Sequence, residues 1–123
     1  MMRFLTIGAA ALALSACATA PQPKYDWGNY EQAMYGYYKN PSTANELIVS
    51  MATTIKKAEA DQRSVGPGMY AEYGYLLMTQ GNSQEAIVNF EKEKKRWPES
   101  TQLMDRMSKL ALVQPAAKVE AKQ

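Results

Sequence analysis

The 123-residue chain contains no histidine and only one cysteine, Cys17. Histidine is a frequent general base and metal ligand, so its absence removes a usual component of many hydrolases and metal enzymes. A single cysteine can form neither an internal disulfide nor a thiolate metal site. We therefore predict no catalytic site, no metal site and no cofactor.

The chain also lacks a strong excess of charge of either sign, with 14 basic and 12 acidic residues. A protein that binds nucleic acid needs a basic face that releases counterions from the phosphates. The near balance argues against a nucleic-acid partner, and the length fits one domain.

The one cysteine stands at the end of an apolar N-terminal segment. Arg3 precedes an apolar run from Phe4 to Leu14, which is too short to span a bilayer but typical of a secretory signal peptide. Residues 14–17, Leu-Ser-Ala-Cys, resemble the bacterial lipobox at each position. The resemblance implies that residues 1–16 are cleaved and that Cys17 is diacylated on its sulfur and acylated on its amine.

The residues after Cys17 bear on where the protein is held. An aspartate directly after the cysteine commonly retains Gram-negative lipoproteins in the inner membrane, and this chain has Ala18 there. The resemblance therefore implies anchoring in the outer membrane, on the side that faces the periplasm. Residues 17–25 contain Pro21 and Pro23 and are predicted to form the lipidated cysteine and a flexible tether.

The body of the chain, residues 26–113, has helical periodicity, and we predict an all-α domain followed by a disordered tail at 114–123. Two pairs, Thr43 with Glu46 and Asn82 with Glu85, have the spacing of a capping box. The breakers divide the body into helices over about 30–39, 43–62, 68–80, 83–97 and 101–113.

The third and fourth helices carry a spaced set of small and large residues. Counted from Pro67 as position 1, the set is Tyr70 at 4, Tyr73 at 7, Gly74 at 8, Leu77 at 11, Gly81 at 15, Ala86 at 20, Phe90 at 24 and Pro98 at 32. This pattern resembles the tetratricopeptide repeat over its full length of about 34 residues. Glu93 departs from it at position 27, where a small residue is usual, and is expected to relax packing against the next helix.

A weaker copy of the pattern lies upstream. Tyr35-Gly36-Tyr37 echoes Tyr73-Gly74-Tyr75 at an offset of 38, and Glu46-Leu47-Ile48 echoes Glu85-Ala86-Ile87 at an offset of 39. The predicted architecture is therefore antiparallel helix pairs stacked as a short tetratricopeptide-like repeat, with the fifth helix as a C-terminal cap.

In tetratricopeptide stacks the first helix of each pair lines the concave binding face. We expect Tyr35 and Tyr73 to pack between helices and Tyr37 and Tyr75 to face a partner, because tyrosine offers a large contact area with little entropy to lose. Carried over by position, the partner-binding candidates are Tyr37, Asn40, Glu72, Tyr75, Met78 and Thr79, with Ala33 and Ala71 beside them.

The lipobox, the tether, the opening Trp27-Gly28-Asn29-Tyr30-Glu31 and the Tyr-Gly-Tyr segments together resemble a small family of bacterial outer-membrane lipoproteins with a domain of unknown function. The resemblance implies the company of a lipoprotein similar to the curli secretion pore and of another small lipoprotein. Two hypotheses follow from the sequence. The leading one is a membrane-tethered adapter that binds another envelope protein, and the alternative is a lipoprotein that binds peptidoglycan in the same groove.

Overall fold

The computed structural model describes residues 23–113, which form helices and no strand. The predicted all-α class is confirmed. The predicted signal peptide, the lipidation site Cys17 and the predicted tail at 114–123 lie outside the described residues. The helices are α1 (Tyr30–Lys39), α2 (Ala44–Ala60), α3 (Met69–Thr79), α4 (Ser83–Arg96) and α5 (Thr101–Val113), and short 3₁₀ turns at Pro41–Thr43 and Pro98–Ser100 precede α2 and α5.

The N-termini of the helices are not capped as the sequence pattern predicts. Thr43 ends the 3₁₀ turn, so its hydroxyl donates back to the carbonyl of Asn40 at 2.9 Å and makes no cap bond to α2. Asn82 also makes no side-chain cap bond, and Glu85 accepts from the Tyr73 hydroxyl at 3.3 Å. Both predicted capping boxes are therefore wrong.

Two helices end in a left-handed residue. Gln62 has φ 54° and Gly81 has φ 85°. After α2, the amide of Arg63 donates to the carbonyl of Ala58 at 2.8 Å and that of Gln62 donates to Glu59 at 3.2 Å, which is the Schellman pattern. This motif ends α2 at Ala60, earlier than the Gly-Pro-Gly segment suggests.

The buried side chains form two clusters that share one tyrosine. Tyr73, from the middle of α3, is packed against both. The first cluster lies between the helices of the N-terminal half and contains Leu47, Met51, Ile55, Ala58, Val65, Met69, Tyr70 and Leu76. The second lies between the helices of the C-terminal half and contains Leu77, Met78, Ala86, Phe90, Met104 and Ala111.

The closest approach of two helices is between α3 and α4. A Cβ added at Gly74 would lie 2.7 Å from Cε1 of Phe90 and 3.0 Å from the carbonyl oxygen of Ala86. Phe90 and Ala86 are both fully buried. Only glycine therefore allows α3 to lie this close to α4 at this point.

Glu93 has a structural task that differs from the relaxed packing we expected. Its side chain is 2% exposed, and its Oε1 accepts from the amide of Gly68 at 2.8 Å. Gly68 is the N-cap residue of α3 and has no side chain to cap its own helix, so α4 supplies the acceptor. Burial raises the pKa of Glu93, while the hydrogen bond from the Gly68 amide and the nearby backbone N–H groups of Ala71 and Tyr70 oppose that shift.

The orientation of α1 differs from two expectations, that Tyr35 packs between helices and that Tyr37 faces a partner. Tyr30, Ala33, Met34 and Tyr37 share the face that packs against the first cluster. Tyr35 therefore points outwards and is 61% exposed, although we expected it to pack between helices.

The weaker upstream copy of the repeat also aligns with α3 at a different offset from the one that its sequence suggests. Tyr30 and Tyr37 occupy the inward positions that Tyr70 and Leu77 occupy in α3, at an offset of 40 rather than 38. A Cβ added at Gly36 would meet only the Thr43 hydroxyl, at 3.9 Å, so Gly36 is not the counterpart of Gly74.

Membrane-spanning length is not found in this part of the chain. Among residues 23–113, no helix combines the length and the apolar character that crossing a bilayer requires.

Candidate partner-binding surface

The partner-binding candidates on α3 differ in accessibility. The side chain of Tyr75 is 47% exposed, whereas that of Met78 is 5% exposed and belongs to the second cluster. The Thr79 hydroxyl donates to the carbonyl of Leu76 at 2.7 Å, as hydroxyls in helices often do. Tyr75 is therefore the one of these three that offers a large free surface, and Met78 offers none.

The remaining candidates are engaged within the domain. The hydroxyl of Tyr30 donates to Oε2 of Glu72 at 2.6 Å, which joins the start of α1 to α3. Asn40 is exposed, but its Oδ1 accepts from the amide of Ser42 at 3.2 Å and so caps the 3₁₀ turn. Tyr37 is half-buried against the first cluster. Glu72 and Tyr75 are three residues apart on α3 and share a helix face, but Glu72 and Tyr37 are half-buried and Tyr75 is exposed.

An open groove lies along the outer side of α2, which the sequence reasoning did not single out. Its walls are Val49, Ser50 and Thr53 from α2 and Gly28 with Asn29 from the segment before α1. The groove encloses about 560 Å³, and its lining is largely carbon. Val49 is 64% exposed on this wall, so the groove is available to another molecule.

The two ends of the groove are polar. At one end Asn45 accepts from the side-chain amide of Gln80 at 2.5 Å, which ties the C-terminal end of α3 to the start of α2. At the other end Asp26 accepts from Lys57 Nζ at 2.5 Å and from the amide of Gly28 at 3.0 Å.

Asp26 also fixes the segment that forms the second wall of the groove. Arg63 Nη1 lies 3.5 Å from Oδ2 of Asp26, the oxygen that also accepts from Lys57. The hydrogen bond from Lys57, followed by that from the Gly28 amide, holds the pKa of Asp26 below its usual value. The carboxylate therefore stays ionised and keeps the Asp26–Asn29 segment beside α2.

Comparison with known protein families identifies the family to which this domain belongs. Over residues 24–107 the sequence matches the family model described as a domain of unknown function, DUF4810. The chain belongs to this family. No curated protein and no solved structure gives a significant match. The DUF4810 match spans α1 to α4, both walls of the groove and the first half of α5.

The sequence did contain a signal for the groove of the DUF4810 domain. The buried residues of α2 lie at 47, 51, 54, 55 and 58, and Val49 falls outside that stripe. An apolar residue on the solvent side of an amphipathic helix is a weak sign of a contact surface, because isolated exposed apolar residues are common. The second wall comes from residues before α1, and no periodicity along α2 could have predicted it.

The described part of the DUF4810 domain gathers no metal-ligand set. Between residues 23 and 113, no group of three or more Cys, Asp or Glu side chains is placed to hold an ion. The groove itself offers apolar surface along its walls and polar or charged groups at its two ends.

Proposed function

We propose that this protein is a lipoprotein anchored in the outer membrane through Cys17, and that its DUF4810 domain binds another envelope protein as an adapter or accessory subunit. The lipobox-like residues 14–17 support the anchor. The observation that carries the adapter is the open, carbon-lined groove along α2, with Val49 exposed on its wall.

The shape of the groove suits a protein segment. Asn45 and Lys57 mark its ends and stand 12 residues apart on one helix. At about 1.5 Å per residue this separation is about 18 Å, which accommodates an extended peptide of about five residues or two to three turns of a helix. Apolar walls with polar ends are typical of sites where a partner inserts apolar side chains and hydrogen-bonds at the rim.

We further infer that the helix pairs stack as a tetratricopeptide-like repeat with α5 as its cap. The close contact of Gly74 with Phe90 supports the pairing of α3 with α4. Met51 of α2 and Phe90 of α4 are buried at equivalent points, 39 positions apart, which supports a second and degenerate copy. In that copy the half-buried Met34 stands where Gly74 stands, 40 positions earlier.

The partner we propose is a lipoprotein similar to the curli secretion pore. The support is the resemblance to small outer-membrane lipoproteins, together with an anchor that would hold both proteins on the same membrane face. The groove adds the expectation that the partner contributes apolar side chains.

Photocrosslinking in intact cells tests this proposal. A photoreactive residue at Val49 or at Tyr75 reports on the groove and on α3, and the same residue at Gln102, exposed on α5, serves as the matched control. We expect one dominant envelope protein, identified by mass spectrometry, to be captured from Val49 and not from Gln102. Equal capture from all three positions, or none from Val49, would contradict the adapter.

Peptidoglycan binding is the second candidate because α1 exposes two aromatic rings. Tyr35 and Tyr38 are 61% and 76% exposed, and flat aromatic surfaces can stack on sugars. Sedimentation with purified peptidoglycan distinguishes the two functions. An adapter stays in the supernatant, whereas a wall-binding protein pellets and loses that property in a Tyr35→Ser, Tyr38→Ser variant.

A further inference from the structure

A basic recess lies between the loop at 61–65 and the C-terminal half of α4. It encloses about 420 Å³ and includes the exposed side chain of Gln62. Four cationic side chains line it, against one acidic side chain, Glu59. The four cations of the basic recess are Arg63, Lys92, Lys95 and Arg96.

The single acid of the basic recess is already engaged. Oε1 of Glu59 accepts from Lys92 Nζ and from the Tyr70 hydroxyl, each at 2.8 Å. Arg96 reaches the hydroxyl of Ser64, which is neutral. Lys95 makes no ion pair within the described part of the chain. Arg63 also lies 3.5 Å from the Asp26 carboxylate, outside the recess. Among the described residues, Lys95 and Arg96 are therefore the two cations of the basic recess that no carboxylate neutralises.

The basic recess lies where the N-terminal segment enters the domain. Arg63 Nη2 donates to the carbonyl of Pro23 at 3.0 Å, and Lys24 Nζ lies 5.3 Å from the centre of the Tyr25 ring. The Tyr25 ring is 6.1 Å from that of Trp97, the residue after Arg96. Cys17 is six residues before Pro23, so the two are separated by at most about 22 Å of extended chain.

We propose that the basic recess docks on the phosphate groups of anionic phospholipids in the leaflet that holds the anchor. This inference rests on the proposed anchoring through Cys17, which would keep the recess within reach of the headgroups. A cation near an anionic membrane surface favours the bound state about fivefold, which is about 1 kcal/mol. The excess cations therefore select one orientation of a domain that the tether alone would leave free to rotate.

Quenching of protein fluorescence by nitroxide-labelled lipids tests the orientation of the acylated protein, which is produced from the full-length chain. After acylation of Cys17, an introduced cysteine is the only free thiol. A fluorophore is attached to Gln62→Cys, at the recess, or to Gln84→Cys, an exposed glutamine near the other end of α4. The vesicles contain nitroxide on the lipid headgroups and are made of phosphatidylcholine alone or with phosphatidylglycerol.

We expect strong quenching at position 62 and weak quenching at position 84 only when phosphatidylglycerol is present. The difference should vanish when salt shortens the Debye length to about 3 Å. Lys95→Gln should lower the ratio of docked to undocked protein about fivefold. Lys109→Gln, which removes an exposed lysine outside the recess, should leave that ratio unchanged.

Several results would overturn the inference. These are equal quenching at both positions, quenching at position 62 that does not depend on phosphatidylglycerol, or equal effects of Lys95→Gln and Lys109→Gln. The mass of the purified protein separates this failure from failure of the proposed anchor. An acylated chain that does not orient contradicts the basic recess alone, whereas a chain without acyl groups on Cys17 contradicts the anchor.

Discussion

The two helical glycines of the Tyr-Gly-Tyr segments should respond to the same substitution with opposite signs. At Gly74, alanine would place a methyl group 2.7 Å from a ring carbon of Phe90 and 3.0 Å from the backbone oxygen of Ala86. Phe90 is fully buried and a backbone oxygen cannot swing away, so the helices must move apart. Such overpacking costs about 1–3 kcal/mol, against a gain of about 1 kcal/mol from the better helix propensity of alanine.

At Gly36 only the gain in helix propensity applies, because no close contact among the described residues opposes it. The added methyl group would lie 3.9 Å from the Thr43 hydroxyl, which is ordinary van der Waals contact. We therefore expect Gly36→Ala to raise the free energy of unfolding by up to about 1 kcal/mol and Gly74→Ala to lower it by up to about 2 kcal/mol. For a domain of this size, 1 kcal/mol corresponds to about 4–8 °C in Tm.

Thermal unfolding followed by circular dichroism measures both changes. Each variant serves as the control for the other, because the substitution, the helical setting and the flanking tyrosines are the same. A rise in Tm for both variants would show that α3 and α4 are not in close contact at Gly74. A fall in Tm for both would show that α1 packs tightly at Gly36, as the sequence echo suggests.

Three further substitutions test separate contacts. Gln62→Gly should raise the free energy of unfolding by about 1 kcal/mol in urea denaturation, because glycine adopts a positive φ without steric cost, and a loss of stability would refute the left-handed ending of α2. Tyr30→Phe should lower Tm by removing the hydrogen bond to Glu72, worth about 1.5–3 kcal/mol when the acceptor is charged, and an unchanged Tm would exclude that bond. Glu93→Gln tests the raised pKa of the buried carboxyl. The stability that this group contributes in its protonated form is complete below the unfolded pKa and is lost as pH rises through the folded pKa. The free energy of unfolding of the native chain should therefore fall relative to that of the variant above about pH 4.5, and a difference that does not change with pH would contradict the raised pKa.

The boundaries of the helices were largely predictable because local signals set them. Pro41 and Pro98 interrupt the helical pattern, and the structure places a 3₁₀ turn at each. The stripe on α2 through Leu47, Met51 and Ile55 is buried as its spacing predicts. These features depend only on residues within one or two turns of each other.

Features that depend on a neighbouring helix were not predictable in the same way. The N-terminus of α3 is capped by Glu93, 25 residues further along the chain. Nothing local to Gly68 indicates this, and the repeat pattern marked Glu93 only as an exception. The first residues of α2 and α4 illustrate the opposite case, because the capping-box spacing was present and other partners engaged the side chains of Thr43 and Glu85.

The candidate surface was predicted in part. Tyr75 is exposed as expected. Its upstream counterpart, Tyr37, was chosen because the Tyr-Gly-Tyr sequence recurs, and the position of that residue around the helix axis was not considered. A displacement of two positions in a helix moves a side chain by about 200° around the axis, which is why Tyr37 packs inwards and Tyr35 outwards. The groove along α2 needed two segments that are distant in sequence, so the pattern of either one could not reveal it.

The way α1 is attached has a consequence for the opening motions of the domain. None of its residues is fully buried, and half-buried side chains together with the Tyr30–Glu72 hydrogen bond hold it to the rest. The other long helices each contribute fully buried side chains to a cluster. Because local unfolding begins where the least apolar surface is lost, the amide hydrogens of α1 should exchange with solvent first and those of α3 and α4 last. We therefore expect α1 to unfold locally while the other helices stay folded, and each such opening exposes the face of the first cluster that α1 covers.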